Sequence, residues 1–205
     1  MATGKSTRSS RVLQITRKCD SAVGIAKGSD SVNPIAARSQ AWLIDALFEL
    51  MREKPYVEIT VTDIAQRAQL SRRTFYRNFA TKDELISMHA RRLVDEYVDR
   101  LLPADLSQTR AVALTYFEFW TDHAEFLRLL AASGMSSLVL QKFNEHIPMI
   151  FERSRSPKYA GVAQLRYALA FNAGGYFNLL FEWLRGGAKE TPAEMADAVA
   201  AFDAE

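Results

Sequence analysis

The sequence predicts an all-α protein. Apolar residues recur at three- and four-residue intervals from residue 33 almost to the end of the chain. Capping residues, Pro or Gly fall at the boundaries of those stripes. No stretch sustains the period-2 alternation of a half-buried strand.

Taken in order, the elements justify themselves locally. Asn33-Pro34 supplies an N-cap with Pro at the first helical position. The helix that follows carries an apolar stripe of Ile35, Trp42, Leu43, Ala46, Leu47, Leu50 and Met51, and Pro55 ends it. After the connection Tyr56–Ile59, Thr60 opens a second helix, with Asp63 three residues on as an approximate capping box. Its core face is Val61, Ile64, Ala65 and Ala68. Gln69-Leu70 makes a tight turn, Ser71 caps a third helix, and Phe75 and Phe79 form its apolar i, i+4 pair. Thr81-x-x-Glu84 is a full capping box for a fourth helix that runs through Leu85, Ile86, Leu93, Tyr97 and Leu101 to Pro103. Further helices are expected near 107–123, 124–132, 136–153, 159–185 and 192–203, separated by Ser133-Gly134, Ser156-Pro157 and Gly186-Gly187.

The 205 residues carry 26 Lys+Arg and 24 Asp+Glu, a net charge of +2, with one cysteine and three histidines. That length supports a hydrophobic core without covalent staples. Cys19 alone excludes an intrachain disulfide framework and a cysteine-rich zinc site. His123 and His146 with Asp122 or Glu125 match no compact metal spacing, so no metal is expected. The longest uncharged apolar stretch, Tyr167–Phe181, has 15 residues and includes Asn172 and Asn178. It falls short of the roughly 20 apolar residues of a membrane span. The N-terminus has no apolar core of a signal peptide, so the expected location is cytoplasmic.

Charge is uneven. Residues 1–102 sum to +5 and residues 103–205 to −3, which points to an anionic partner for the first half. Residues 1–33 form a basic, Ser/Thr/Gly-rich arm without a persistent period, expected to be disordered in the free protein. Two readings stay open for it: a tail lying along phosphates or in a minor groove, and an inert extension.

The segment Val61–Phe79 carries the chemistry. Two short helices cross at small Ala65, Leu70 plugs the turn between them, and Ser71 frees the second helix to present its N-terminal face. That is the geometry of a helix-turn-helix whose second helix enters the major groove of double-stranded DNA. Its exposed face carries Arg72, Arg73, Arg77 and Asn78 and no acid. Arg reads guanine O6/N7 and Asn reads adenine N6/N7, each with two hydrogen bonds. The Tyr76 hydroxyl suits a phosphate, as do Thr60 and Lys82 at helix N-termini.

The stretch ITVTDIAQRAQLSRRTFYRNFATKDELI (59–86) resembles the signature of the TetR family of bacterial transcriptional regulators. Thr60, Ile64-Ala65, Ala68, Ser71, Thr74, Phe75-Tyr76, Phe79, Lys82 and Glu84-Leu85 carry the likeness. More weakly, Phe181–Gly187 and Thr191–Met195 resemble a branch that includes the dihydroxyacetone-kinase regulators. The resemblance implies a homodimer on a pseudo-palindromic operator, with a three-helix head at 34–82 and a helical effector-binding and dimerisation bundle at 83–205. By position it places Arg72, Arg73, Thr74, Arg77 and Asn78 against bases, and Thr60, Ser71, Tyr76 and Lys82 against phosphates. Two residues depart from the pattern. Gln69 stands where the family usually has Gly, and Arg73 replaces a usual small residue, where an added base contact is expected.

In the second half, an effector pocket is expected from Phe117, Trp120, His123, His146, Met149, Asn172 and Tyr176, since aromatic walls with a few polar groups suit a small molecule. The plainer alternative is that these aromatics are core. Gly174 and Gly175 inside an apolar helix suggest close helix approach, and with Phe181, Leu184, Met195, Val199 and Phe202 they make an expected dimer interface. The alternatives there are a ligand-facing kink at the glycines and closure of each subunit's own core. Nucleophile-elbow, P-loop, dinucleotide-binding and zinc-protease motifs are all missing, so neither an enzyme nor a cofactor is expected. The expected function is a ligand-responsive repressor. The alternative is a co-regulator acting through protein–protein contacts without operator readout.

Overall fold

A computed structural model describes residues 34–103, 105, 107–154 and 165–202, without the side chains of 147–154 and 165–166. The arm at 1–33, Cys19 and Met149 lie outside that description. Among the described residues the fold is all-helical. The helices are α1 (Pro34–Glu53), α2 (Val61–Arg67), α3 (Arg72–Asn78), α4 (Lys82–Leu101), α5 (Thr109–Asp122), α6 (Ala124–Ala132), α7 (Ser137–Ser154), α8 (Leu165–Arg185) and α9 (Pro192–Phe202). A 3₁₀ turn at Tyr56–Glu58 joins α1 to α2.

Local chemistry sets the boundaries. Thr60 caps α2 with a complete capping box: its Oγ1 accepts from Asp63 N at 3.1 Å, and Asp63 Oδ2 accepts from Thr60 N at 2.9 Å. The α2 end is a Schellman motif, with Leu70 N donating to Ala65 O at 2.8 Å and Gln69 N to Gln66 O at 3.0 Å. Such an ending needs a left-handed residue, and Gln69 supplies it with φ +55°. The α6 and α8 ends close in the same way, but on Gly134 (φ +69°) and Gly187 (φ +92°).

The α1 stripe is rotated from the sequence expectation. Ile35 is 71% exposed and Trp42 43% exposed, while Ile44 and Phe48 join Leu43, Ala46, Leu47 and Leu50 in the core. Trp42 instead lies beneath the Arg38 guanidinium, 4.7 Å from the ring centre.

The first four helices pack around Leu47, Ile59, Ile64, Phe75, Phe79, Leu85 and Ile86, all fully or nearly fully buried. From that core α4 continues into the second half, where it packs on α5 and α7. The α5–α9 pair is the most extensive helix–helix contact, and Arg110 ties its exposed edge to Asp197 at 2.6 Å. Between the halves, Phe48 of α1, His89 of α4 and Phe126 of α6 meet edge to face, with centroids 4.7–5.3 Å apart.

Candidate nucleic-acid interface and cavity

Ion pairs tie α2 to α1 and to the residue that follows α1. Arg67 makes a two-pronged pair with Glu53 at 2.6 and 2.9 Å. Lys54 reaches Asp63 at 2.8 Å. Its ammonium and the Thr60 backbone and hydroxyl hold the Asp63 carboxyl down at about 2. Farther along α1, Arg52 pairs with Glu125 of α6 at 2.5 Å.

Against this background the face of α3 stands apart. Ser71 caps the helix by accepting from Thr74 N at 3.0 Å, and its hydroxyl lies 3.0 Å from Thr74 Oγ1. Phe75 is fully buried beneath. Arg72, Arg73 and Arg77 are exposed, and none makes a hydrogen bond, ion pair or ring contact among the described residues. Tyr76 is 53% exposed, with its ring edge-on to Phe75 at 5.4 Å. The arrangement offers three uncompensated cations, a phenol and short hydroxyls on one convex edge, as a groove with phosphate walls requires.

Two residues expected on this face have other engagements. Asn78 turns its amide back along α3 and donates to Thr74 O at 2.8 Å. Lys82 folds over Tyr56, with its ammonium 4.2 Å from the ring centre. It donates to Tyr56 O at 2.7 Å, which also accepts from Ile59 N within the 3₁₀ turn, and to Ile59 O at 2.8 Å just after it. Beside it, Tyr56 Oη donates to Asp83. The Lys82 role in closing that turn had no signal in the sequence, because its partners lie 26 and 23 positions away.

In the second half a cavity of about 1040 Å³ opens between α4, α5, α7, α8 and α9. Trp120, Asn172 and Tyr176 border it, with Asn172 exposed. Phe117, His123 and His146 lie outside its described lining. Phe117 is core, 5.6 Å edge-to-face from Trp183. His123 packs against Phe119, with ring centres 4.6 Å apart and the planes tilted by 49°. His146 spans α7 and α4, with Nδ1 2.7 Å from Lys142 O and Nε2 2.5 Å from Asp95 Oδ1. Sequence reading missed the other wall, Tyr97 and Leu101 of α4 with Tyr116 and Phe143. Only the position of Tyr97 and Leu101 on one face of α4, four residues apart, hinted at it.

Of the expected dimer residues, Phe181, Leu184 and Val199 are each 8% exposed within their own subunit and Met195 is half-buried. Phe202 is 69% exposed. A Cβ at Gly174 or Gly175 would meet nothing within 4 Å among the described residues, so neither marks a close helix approach there. Gly175 shares the outer side of α8 with exposed Tyr167 and Phe171. No described helix is long and apolar enough to cross a membrane.

Comparison with known proteins fits this geometry. Residues 43–87 match the family model described as bacterial regulatory proteins of the tetR family, and residues 107–202 match one described as a transcriptional regulator C-terminal region. The second description names no dihydroxyacetone-kinase branch. The chain is 35% identical over 72 residues to the HTH-type transcriptional regulator AlkX of Mycobacterium tuberculosis, covering 33% of this chain and 34% of that protein. It is 28% identical over 107 residues to the uncharacterized HTH-type transcriptional regulator YxbF of Bacillus subtilis, covering 52% of this chain and 26% of that one. The matches thus span about a third and a quarter of these relatives' own lengths. All the matched families and relatives are regulators rather than enzymes. A head whose spare charge sits on its second turn helix, and matches on both halves, lead to one assignment: the chain belongs to the TetR family of bacterial transcriptional regulators.

Proposed function

We propose that the protein is a ligand-responsive repressor that binds a pseudo-palindromic DNA operator as a homodimer. The observation that carries this reading is the set of unpaired arginines. Arg38, Arg52, Lys54, Arg67 and Lys82 all have partners within the chain, whereas Arg72, Arg73 and Arg77 have none among the described residues. Charges left unmatched on a rigid helix face suit an external polyanion, and Arg is the side chain that reads guanine in the major groove. Thr60, Ser71 and Tyr76 are the phosphate contacts in this reading, and Thr74 and Asn78 sit beside the bases.

Dimerisation draws support from the outer side of α8, where Tyr167 is 60% and Phe171 80% exposed, and from Phe202 at the end of α9. Large apolar side chains grouped in this way mark an association surface. Response to a ligand draws support from α4, which carries Leu85 and Ile86 in the head and Tyr97 and Leu101 in the cavity wall. A molecule that favours one placement of Tyr97 favours one tilt of α4, and so one spacing of the two heads. The protein acts in the cytoplasm and needs no cofactor.

Selection of bound sites from random duplex DNA tests the proposal. The expected product is an inverted repeat, its half-sites separated by about one helical turn or a multiple of it. Failure to enrich any sequence at any salt concentration would leave a co-regulator working through protein contacts.

A further inference from the structure

The α5 residue Trp120 is 1% exposed and borders the cavity. Its Nε1–H is the buried side-chain polar atom that has no hydrogen-bond partner among the described residues. The contrast with Trp183 is instructive, since that indole donates to Glu190 O at 3.1 Å. Buried donors are matched in folded proteins, so an unmatched one on a residue that borders a cavity calls for an acceptor from outside the chain.

The rest of the wall restricts what can bring that acceptor. Tyr97, Tyr116 and Phe143 present rings, with Phe143 5.7 Å from Tyr97 at an interplanar angle of 38°. Burial pushes the Tyr97 and Tyr116 hydroxyls up, so both stay neutral near pH 7. The charged residues bordering the cavity among those described are Glu182 and Arg185, at the rim, and they pair with each other at 2.5 Å. A ligand charge carried to the Trp120 end would therefore be desolvated without a counter-charge from the described residues.

We propose that this cavity takes an uncharged, mostly apolar molecule with a planar ring and a carbonyl-type acceptor, which receives the Trp120 Nε1–H. This rests on the ligand-responsive reading above and adds the chemistry of the ligand. The exposed rim of the cavity, Phe171 and Phe202, lies on the surface assigned to dimerisation; the buried Trp120 end sets the ligand class.

Calorimetry on the full chain with three matched pairs tests the proposal: acetophenone with ethylbenzene, 2-acetylnaphthalene with 2-ethylnaphthalene, and benzophenone with diphenylmethane. At least one ketone is expected to bind saturably, with a Kd about tenfold below that of its hydrocarbon, the ratio one net hydrogen bond gives. In Trp120→Phe that ratio falls to within about twofold, and in Trp42→Phe it is retained. The proposal is overturned if no ketone saturates, if the ratio survives Trp120→Phe, or if the anion 4-benzoylbenzoate binds as tightly as benzophenone. Should Trp120→Phe not fold, the parent's three indole N–H resonances decide. One moves downfield with the ketone and not with the hydrocarbon, and movement of none overturns the proposal. DNA plays no part in these measurements. Ketone binding without operator selection therefore sinks the repressor reading alone, and operator selection without ketone binding sinks this inference alone.

Discussion

Arg72, Arg73 and Arg77 differ from the other cations of the head in having no partner among the described residues. That difference separates two kinds of substitution. Replacing Arg72 or Arg73 with Ala removes no internal contact, so thermal stability should hold, while operator affinity falls by about 1–3 kcal/mol and base preference relaxes. Binding isotherms on operator and scrambled duplexes give the result, and unchanged discrimination in the double variant would refute the readout role. Lys82 is different because its ammonium closes the 3₁₀ turn at Tyr56 and Ile59. Lys82→Ala should lower stability by about 1 kcal/mol, since water replaces the lost donor at these partly exposed carbonyls. Because that ammonium is spent inside the chain, the salt slope of DNA binding should change by well under one unit. A melting curve for Lys82→Ala that overlays the parent's would show that the carbonyl contacts contribute nothing. Net charge foreshadowed none of this. The +5 of the first half includes the basic arm, and what singles out three arginines is that none has a partner among the described residues.

Helix ends explain why so much of the fold was legible. Thr60, Ser71 and Thr81 each cap the helix that follows, and each is a local signal readable within four residues. The Asp63 cap adds a pH signature. Its carboxyl is held at about 2, against an ordinary 3.8. A depressed carboxyl contributes stability that is complete above 3.8 and lost as pH falls through about 2. The stability gap between parent and Asp63→Asn, measured by chemical denaturation, should therefore close between pH 4 and pH 2; a gap that stays constant would exclude the Lys54–Asp63 pair as its source. The Schellman endings make a second comparison. Gln69 carries φ +55° where α6 and α8 use Gly134 and Gly187. Relief of left-handed strain exceeds the entropy cost of glycine, so Gln69→Gly should raise stability by roughly 0.5–1 kcal/mol, whereas Gly134→Ala should lower it by about 1. Thermal denaturation of the two variants settles the sign. What local signals did not give was helix rotation. Trp42 fits the apolar stripe by spacing, yet sits at the solvent edge under Arg38, because α1 turns Ile44 and Phe48 toward α4 and α6.

At the scale of the whole molecule, the head and the cavity meet at few places, and His89 sits at one of them. Its ring is wedged between Phe48 of α1 and Phe126 of α6, at 4.8 and 4.7 Å. Neither the wedge nor the Tyr97 wall of the cavity was legible, because both are made by helices distant in sequence that no period or motif relates. The apolar surroundings, with help from His123 and Arg92, push the His89 imidazole down to about 3. Because the folded value lies below the ordinary 6.5, the unfolded chain takes up the proton first as pH falls. Stability is therefore full above 6.5 and declines from there down toward 3. At pH 5 the loss from this one group should be about 1–2 kcal/mol. His89→Phe keeps an aromatic ring in the wedge and removes the titration. Denaturant midpoints for parent and variant should diverge steadily from pH 7 to pH 5, the parent losing more. Parallel curves would mean that His89 is solvated enough to carry its charge, and that the wedge between head and body is looser than the ring distances imply. A steady divergence would mark the wedge as a dry joint, through which a shift of α4 on one side must be felt on the other.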